Sequence, residues 1–277
     1  MTRFADLHLH TVHSDGTRSP REVVDLARER GLDIIAISDH DNIAAYFEIK
    51  PYADQCGVVL IPATELSCAF RGVDVHILAY AFDPLNESIE PRLRHFREVR
   101  HRRGTEMVER LNTLGYAISA DRVDQLAAGG AMGRPHVARA LVERGHVASV
   151  DEAFKRFLVP GKPGYVEKAR FQIDEAIALI HGAGGLLSIA HPSHYPNKDE
   201  TVVELLDAGI DGVEVMHPDV PNDDRERFTN IAKFRGRFVT GGSDDHGAAK
   251  TVETIGTIHV PEALIEPIVR RTLEHLG

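Results

Sequence analysis

Residues 6–10 read Asp6-Leu7-His8-Leu9-His10, directly after Phe4 and Ala5. Side chains alternate with period two along a strand, so His8 and His10 share one face and Leu7 and Leu9 the other. Two imidazoles converging at one strand end make a donor pair suited to Zn, Mn or Fe. The same grammar returns in Ile37-Ser38-Asp39-His40-Asp41, Ala63-Thr64-Glu65, Val73-Asp74-Val75-His76, Ile189-Ala190-His191-Pro192 and Gly242-Ser243-Asp244-Asp245-His246. One such segment would be noise. A series of them at strand ends reads as a multinuclear metal site.

The stretches between these segments alternate in kind. Ser19-Pro20-Arg21-Glu22 has the form of a capping box with Pro at the first helical position, predicting a helix to about Arg30 that stops at Gly31. Strands are predicted near 33–38, 58–63 and 74–81, with a helix over 44–56 broken or kinked at Pro51. From Pro91 to about Gly115 the chain reads as an arginine-rich helix. Further helical segments run to about Phe157, interrupted at Gly129-Gly130, and a Gly/Pro-rich connector covers Leu158 to Tyr165. Beyond it come a helix over 173–183 and strands near 185–190, 212–216, 238–241 and 254–260. Repeated βα units with chemistry-bearing residues just past the strands predict an α/β fold on a parallel sheet or barrel, with its site on the C-terminal face. The expected organisation is a discontinuous metal-binding unit, 1–90 and 165–277, interrupted by a helical insertion at 91–164.

Composition narrows the function class. The 277 residues are 43% hydrophobic and 27% charged, ordinary for one large globular unit. A formal net charge of −10 argues against a broad basic surface for duplex DNA, while leaving room for a small phosphate held by a few arginines. Cys56 and Cys68 are too few for a disulfide scaffold, and no leader-like or long apolar stretch is evident. The expectation is a cytoplasmic enzyme that neither spans nor anchors to a membrane.

The candidate ligands are His8, His10, Asp15, His40, Glu65, His76, His191, Asp244 and His246. Imidazole and carboxylate without thiolate favour Mn, Fe or Zn, and Glu65 can bridge two ions with its two oxygens. Of the remaining histidines, His13, His95, His101, His146, His181, His194, His217 and His259 read as ordinary polar surface. For an anionic group, Arg134 is the first choice, with His136 beside it and Arg18 and Lys162 next.

Together these residues resemble the PHP (polymerase and histidinol phosphatase) family of metallo-phosphoesterases. The resemblance runs through DLHLHTVHSDGTRSPREVVDLARERGLDIIAISDHD at 6–41, AHP at 190–192 and GGSDDHG at 241–247. It implies a distorted (β/α)7 barrel with two or three divalent ions, Mn foremost. One ion would take His8, His10, Glu65 and Asp244. A second would take Glu65, His76 and His191, and a third Asp15, His40 and His246. Gly133-Arg134-Pro135-His136 and Leu158-Val159-Pro160-Gly161-Lys162-Pro163-Gly164-Tyr165-Val166 look like segments of bacterial PHP phosphatases that act on 3′,5′-nucleoside bisphosphates. Closely similar proteins are 5′→3′ exoribonucleases. The resemblance therefore implies a hydrolase that removes the 3′-phosphate of pAp-like nucleotides through a metal-bound hydroxide, with no side chain as nucleophile. The alternative is a 5′→3′ exoribonuclease trimming short RNA or rRNA precursors. More distant options are a metal-dependent amidohydrolase and a non-catalytic PHP module.

Overall fold

β1 (Phe4–Leu9) forms where the period-two reading places it and is buried from Ala5 onward. It runs parallel to β2 (Ile34–Ile37), which runs parallel to β3 (Val59–Ile61). The computed structural model describes residues 2–127, 132–167, 171–249 and 254–276. α1 (Pro20–Glu29) crosses from β1 to β2, and α2 (Ala44–Gln55) from β2 to β3. α1 opens on the expected capping box: the Ser19 hydroxyl accepts from the Glu22 N–H, and the Glu22 carboxylate accepts from the Ser19 N–H at 2.8 Å. α2 runs through Pro51 instead of stopping there. Proline removes one backbone bond, but Tyr46, Ile49 and Ala53 are buried on both sides of it and hold the helix.

Pro62 separates β3 from β4 (Ala63–Phe70), where the chain enters a second sheet. That sheet has the order β6 (Phe171–Gln172), β4, β5 (Val73–Tyr80), β7 (Leu186–Ile189), β8 (Gly212–Met216), β9 (Phe238–Gly241). β4 and β5 make an antiparallel hairpin across Arg71 and Gly72, whose φ values of 48° and 81° suit a two-residue turn. β5 is also antiparallel to β7, so one strand reverses an array that βα counting predicts to be parallel. α7 (Ile173–Gly182) precedes β7, and α8 (Lys198–Ala208) and α9 (Asn222–Phe234) link the parallel strands β7, β8 and β9. Two isolated bridges, His40 with Glu65 and Leu9 with Asp245, join the two sheets at both seams, an arrangement compatible with a distorted barrel. The strand predicted over 254–260 shrinks to β10 (Val260–Pro261), antiparallel to β1. The Thr254 and Ile255 N–H groups donate to the Asp245 carboxylate at 2.9 and 3.3 Å instead of to a ladder.

α3 (Ile89–Thr113) belongs to two cores. Ile89, Leu93 and Phe96 pack with the larger sheet, where Phe96 stacks on Phe171 with ring centroids 3.6 Å apart. Met107, Val108 and Leu111 pack in a separate cluster with Ile118, Val137, Leu141, Phe157 and Leu158. α4 (Ala120–Leu126), α5 (Arg134–Glu143) and α6 (Val150–Ala153), followed by a π-helical turn over Phe154–Leu158, build that second core. The Gly129-Gly130 break lies outside the described residues. α10 (Glu266–Leu276) is the last element among the described residues. Among the described residues, no helix is long and apolar enough to cross a membrane.

Candidate metal centre

Three local distortions aim side chains at one point. The register of β1 on β2 slips between Asp6 and Leu9, beside His8, and that of β8 on β9 slips between Glu214 and Met216. Such irregularities re-aim side chains at barrel rims. The loop after β9 approaches β1 so closely that a Cβ on Gly242 would lie 2.4 Å from His8 Cβ, so only glycine fits there. Asp41, His191 and Asp244 adopt left-handed φ values of 51°, 30° and 50°. Each such conformation costs on the order of 1–3 kcal/mol and must be held by its surroundings.

All nine donors singled out from the sequence converge. The carboxylate of Glu65, almost wholly buried, faces imidazoles with both oxygens. Oε1 lies 2.8 Å from His76 Nδ1 and 3.1 Å from His191 Nε2; Oε2 lies 3.3 Å from His8 Nε2, 3.2 Å from His10 Nε2 and 3.3 Å from His40 Nδ1. Asp244 Oδ1 is 3.3 Å from both His8 Nε2 and His10 Nε2 and 3.5 Å from His246 Nδ1. Asp15 reaches His246 Nε2 at 3.2 Å and His40 Nε2 at 3.6 Å.

Most of these separations are too long for good hydrogen bonds. They match the ligand–ligand edge of a tetrahedral site, about 3.4 Å for metal–ligand bonds of about 2.1 Å. His10 Nε2 and His40 Nδ1 are buried with no hydrogen-bond partner at all, which is costly unless something else occupies their lone pairs. The donors fall into overlapping groups: His8, His10 and Glu65; His40, Glu65 and His76; His10, Asp15, His40 and His246. The donor set thus fits a cluster of divalent ions sharing Glu65.

Electrostatics agree. Burial alone would push the carboxyl groups of Glu65, Asp15 and Asp244 upward, yet the imidazoles around them hold all three well below the usual range. Burial opposes charge on His8 and His10, but facing carboxylates raise His8 well above its ordinary value and His10 to about 10. Without an ion, the cluster keeps protons where positive charge is wanted. His40 differs: burial holds it well below normal, aided by the charges of His10 and Arg100.

Buried carboxylates next to the donors hold the loops. Asp39 accepts from the Thr11 N–H at 2.7 Å, the Thr11 hydroxyl at 2.6 Å and the Ser14 hydroxyl at 2.6 Å. Asp245 accepts from the Gly247 and Thr254 N–H groups at 3.0 and 2.9 Å and from Arg18. Two further residues escaped the sequence reading. Glu214 is fully buried beneath the cluster, its carboxylate 2.9 Å from His8 Nδ1 and accepting the His191 N–H at 2.7 Å. His217, read from sequence as ordinary surface, is also fully buried, with Nε2 3.7 Å from Asp244 Oδ2. The one signal available was a lone acid inside the apolar run Val213-Glu214-Val215-Met216.

The residues chosen for phosphate recognition do not form one constellation. Arg18 is engaged with Asp245. His136 is buried, and its Nδ1 accepts the Gly133 N–H at 3.0 Å, capping α5. Arg134, half-buried, lies over the Phe154 ring at 5.6 Å. Lys162 is exposed. The start of α5 nevertheless borders the centre through Arg100: a Cβ on Gly133 would come 4.0 Å from Arg100 Nη2, while Arg100 Nη1 donates to Asp41 beside His40.

A PHP domain model matches residues 6–190. The chain is 33% identical to a 5′-3′ exoribonuclease of Haemophilus influenzae, over 96% of this chain and 98% of that protein. It is 32% identical to a 3′,5′-nucleoside bisphosphate phosphatase of Chromobacterium violaceum, over 96% and 95% respectively. Its fold superposes with a TM-score of 0.87 on a crystal structure described as a metal-dependent phosphoesterase of Bifidobacterium adolescentis, at 35% identity and 96% coverage of both chains.

Proposed function

Because the chain belongs to the PHP domain family and is a metal-dependent phosphoesterase, we propose that it removes the 3′-phosphate from 3′,5′-bisphosphonucleosides such as pAp. The observation that carries this reading is Glu65, one buried carboxylate with both oxygens set among five imidazoles. His8, His10, Glu65 and Asp244 would hold one ion, Glu65, His76 and His191 a second, and Asp15, His40 and His246 a third. Mn is the first candidate and Fe or Zn the next, since the donors are nitrogen and oxygen without sulfur. Bound there, divalent ions would lower the pKa of a water and neutralise charge on the phosphoryl oxygens.

The rest of the work falls to the chain. Asp39 and Asp245 fix the loops carrying Asp15, His40 and His246, so that the donors are pre-set before substrate arrives. Residues 91–164 would act as an insertion domain that carries substrate contacts to the mouth of the site. Arg134 and Lys162 would hold the second phosphate, supported by the position of Gly133 against Arg100. Arg18 and His136 would act from behind, through Asp245 and the α5 cap. Cytoplasmic residence is part of the proposal, supported by the lack of any disulfide at Cys56 and Cys68 among the described residues.

A second reading, 5′→3′ exoribonuclease action on short RNA, is favoured by one feature: Arg94 and Arg102 on α3 are exposed and free to track a longer backbone. Steady-state kinetics of Mn-loaded protein on pAp and on a short 5′-phosphorylated RNA test both readings. Efficient phosphate release from pAp with poor RNA turnover supports the first. Processive mononucleotide release from RNA replaces it with the second.

A further inference from the structure

Glu214 and His217 lie beneath the cluster with no task yet assigned, both fully buried. Together with His8 they stand close enough to suggest one more ion site. Their hydrogen bonds rule that out. His217 Nδ1 accepts the Asp219 N–H at 3.0 Å. A neutral imidazole has one N–H, so the proton sits on Nε2, which then has no lone pair for a metal. His217 Nε2 is therefore a donor. It is buried, has no hydrogen-bond partner, and points at Asp244 Oδ2 from 3.7 Å.

We infer that Glu214 and His217 are positioning residues of the metal centre: Glu214 sets which nitrogen His8 presents, and His217 sets which oxygen Asp244 presents. This rests on the reading that the cluster above them holds divalent ions.

For Glu214 the geometry is direct. Its Oε1 is 2.9 Å from His8 Nδ1, and its Oε2 accepts the His191 N–H at 2.7 Å. A carboxylate can only accept, so it draws the His8 proton to Nδ1. The Nε2 lone pair is left facing Glu65 Oε2 and Asp244 Oδ1, each 3.3 Å away. The same carboxylate pins the left-handed backbone of His191, whose side chain approaches Glu65 from the other side. One buried acid thus orients two donors from different strands. For His217, an Nε2–H facing Oδ2 from 3.7 Å favours Oδ1 as the Asp244 oxygen offered among His8, His10 and His246. Such partners behind a ligand typically change metal affinity by about 10- to 100-fold.

The test is a calorimetric Mn2+ titration of the metal-free full chain, with bound metal counted by elemental analysis, for wild type, His217→Leu, His217→Gln and Glu214→Gln. Circular dichroism establishes that each is folded. Leucine fills the space without a donor, whereas glutamine returns an N–H near the Nε2 position. Expected is an affinity loss of about 10- to 100-fold for His217→Leu and recovery to within about threefold of wild type for His217→Gln. In Glu214→Gln the amide oxygen must accept the His191 N–H, which turns the NH2 toward His8 Nδ1 and drives the proton to the wrong nitrogen. Its affinity is expected to fall at least as far as that of His217→Leu. Equal affinity for His217→Leu and wild type, or equal losses for leucine and glutamine, would overturn the donor role. If His217→Leu does not fold, Glu214→Gln decides, and unchanged affinity there overturns the assignment. A wild-type chain that takes up no ion would sink the metal reading itself, and this inference with it.

Discussion

Arg100 reaches from α3 to Asp41 and donates from Nη1 to Oδ2 at 2.8 Å, tying the helix to the residue that follows His40. Asp41 is fully buried, and its other oxygen accepts the Ser67 N–H at 3.1 Å. Arg97 adds a bond to the Asp41 carbonyl at 2.9 Å. Arg100→Ala would leave a buried carboxylate short of its cationic donor, at a cost of about 1.5–3 kcal/mol. Urea unfolding of the metal-free variant checks this; an unchanged midpoint would show that Asp41 is satisfied without Arg100.

Glu65 offers a sharper test of the centre. Glu65→Gln keeps the shape but removes the charge shared by five imidazoles, and Asp244→Ala removes the oxygen set between His8 and His10. Each is expected to lower turnover by about 1000-fold or more, with the fold intact by circular dichroism. A variant of either kind that keeps most of its activity would exclude that residue from the centre.

The proton balance gives a pH prediction. The folded pKa of His10 is raised to about 10. Its contribution to the stability of the metal-free chain is therefore fully present below the unfolded value of about 6.5 and is lost as the pH rises through about 10. An ion needs the neutral ring, so loading near pH 7.5 must expel protons, and affinity must rise with pH. Calorimetric Mn2+ titrations in two buffers of different ionisation enthalpy would reveal this. Identical heats in both would mean that no proton leaves.

The exposed face of α3 separates the two substrate readings. Arg94→Ala with Arg102→Ala is expected to lower RNA turnover several-fold and leave pAp hydrolysis unchanged if that exposed face tracks the backbone of a longer substrate. Parallel kinetics on both substrates decide the matter. Equal losses, or none, would remove α3 from RNA binding.

The sequence announced the donors because their signal is periodic. His-x-His, Asp-His and Asp-Asp-His after apolar runs have few uses at a strand end besides holding something charged. Glu214 and His217 were hidden by the same rule. In Val213-Glu214-Val215, alternation puts the acid on the face opposite the valines, but β8 is buried on both faces. The reversal of β5 was also unread, since periodicity carries no strand direction. Arg71-Gly72 was the clue, a two-residue link that can only turn the chain back on itself. Arg18 shows a different limit: charge and exposure are visible in a sequence, whereas the partner that engages an arginine, as Asp245 does Arg18, is not.

The Ser243 N–H donates to Asp6 at 2.9 Å across 237 residues of chain, closing the seam between the first strand and the loop after β9. This has a consequence for synthesis. His8 and His10 leave the ribosome 236 residues ahead of Asp244 and His246 respectively. A chain still being made can gather fragments of the donor set but not the whole. Full metal loading thus reports that translation has passed residue 246, and a product cut short before that point carries most of the barrel without a complete centre.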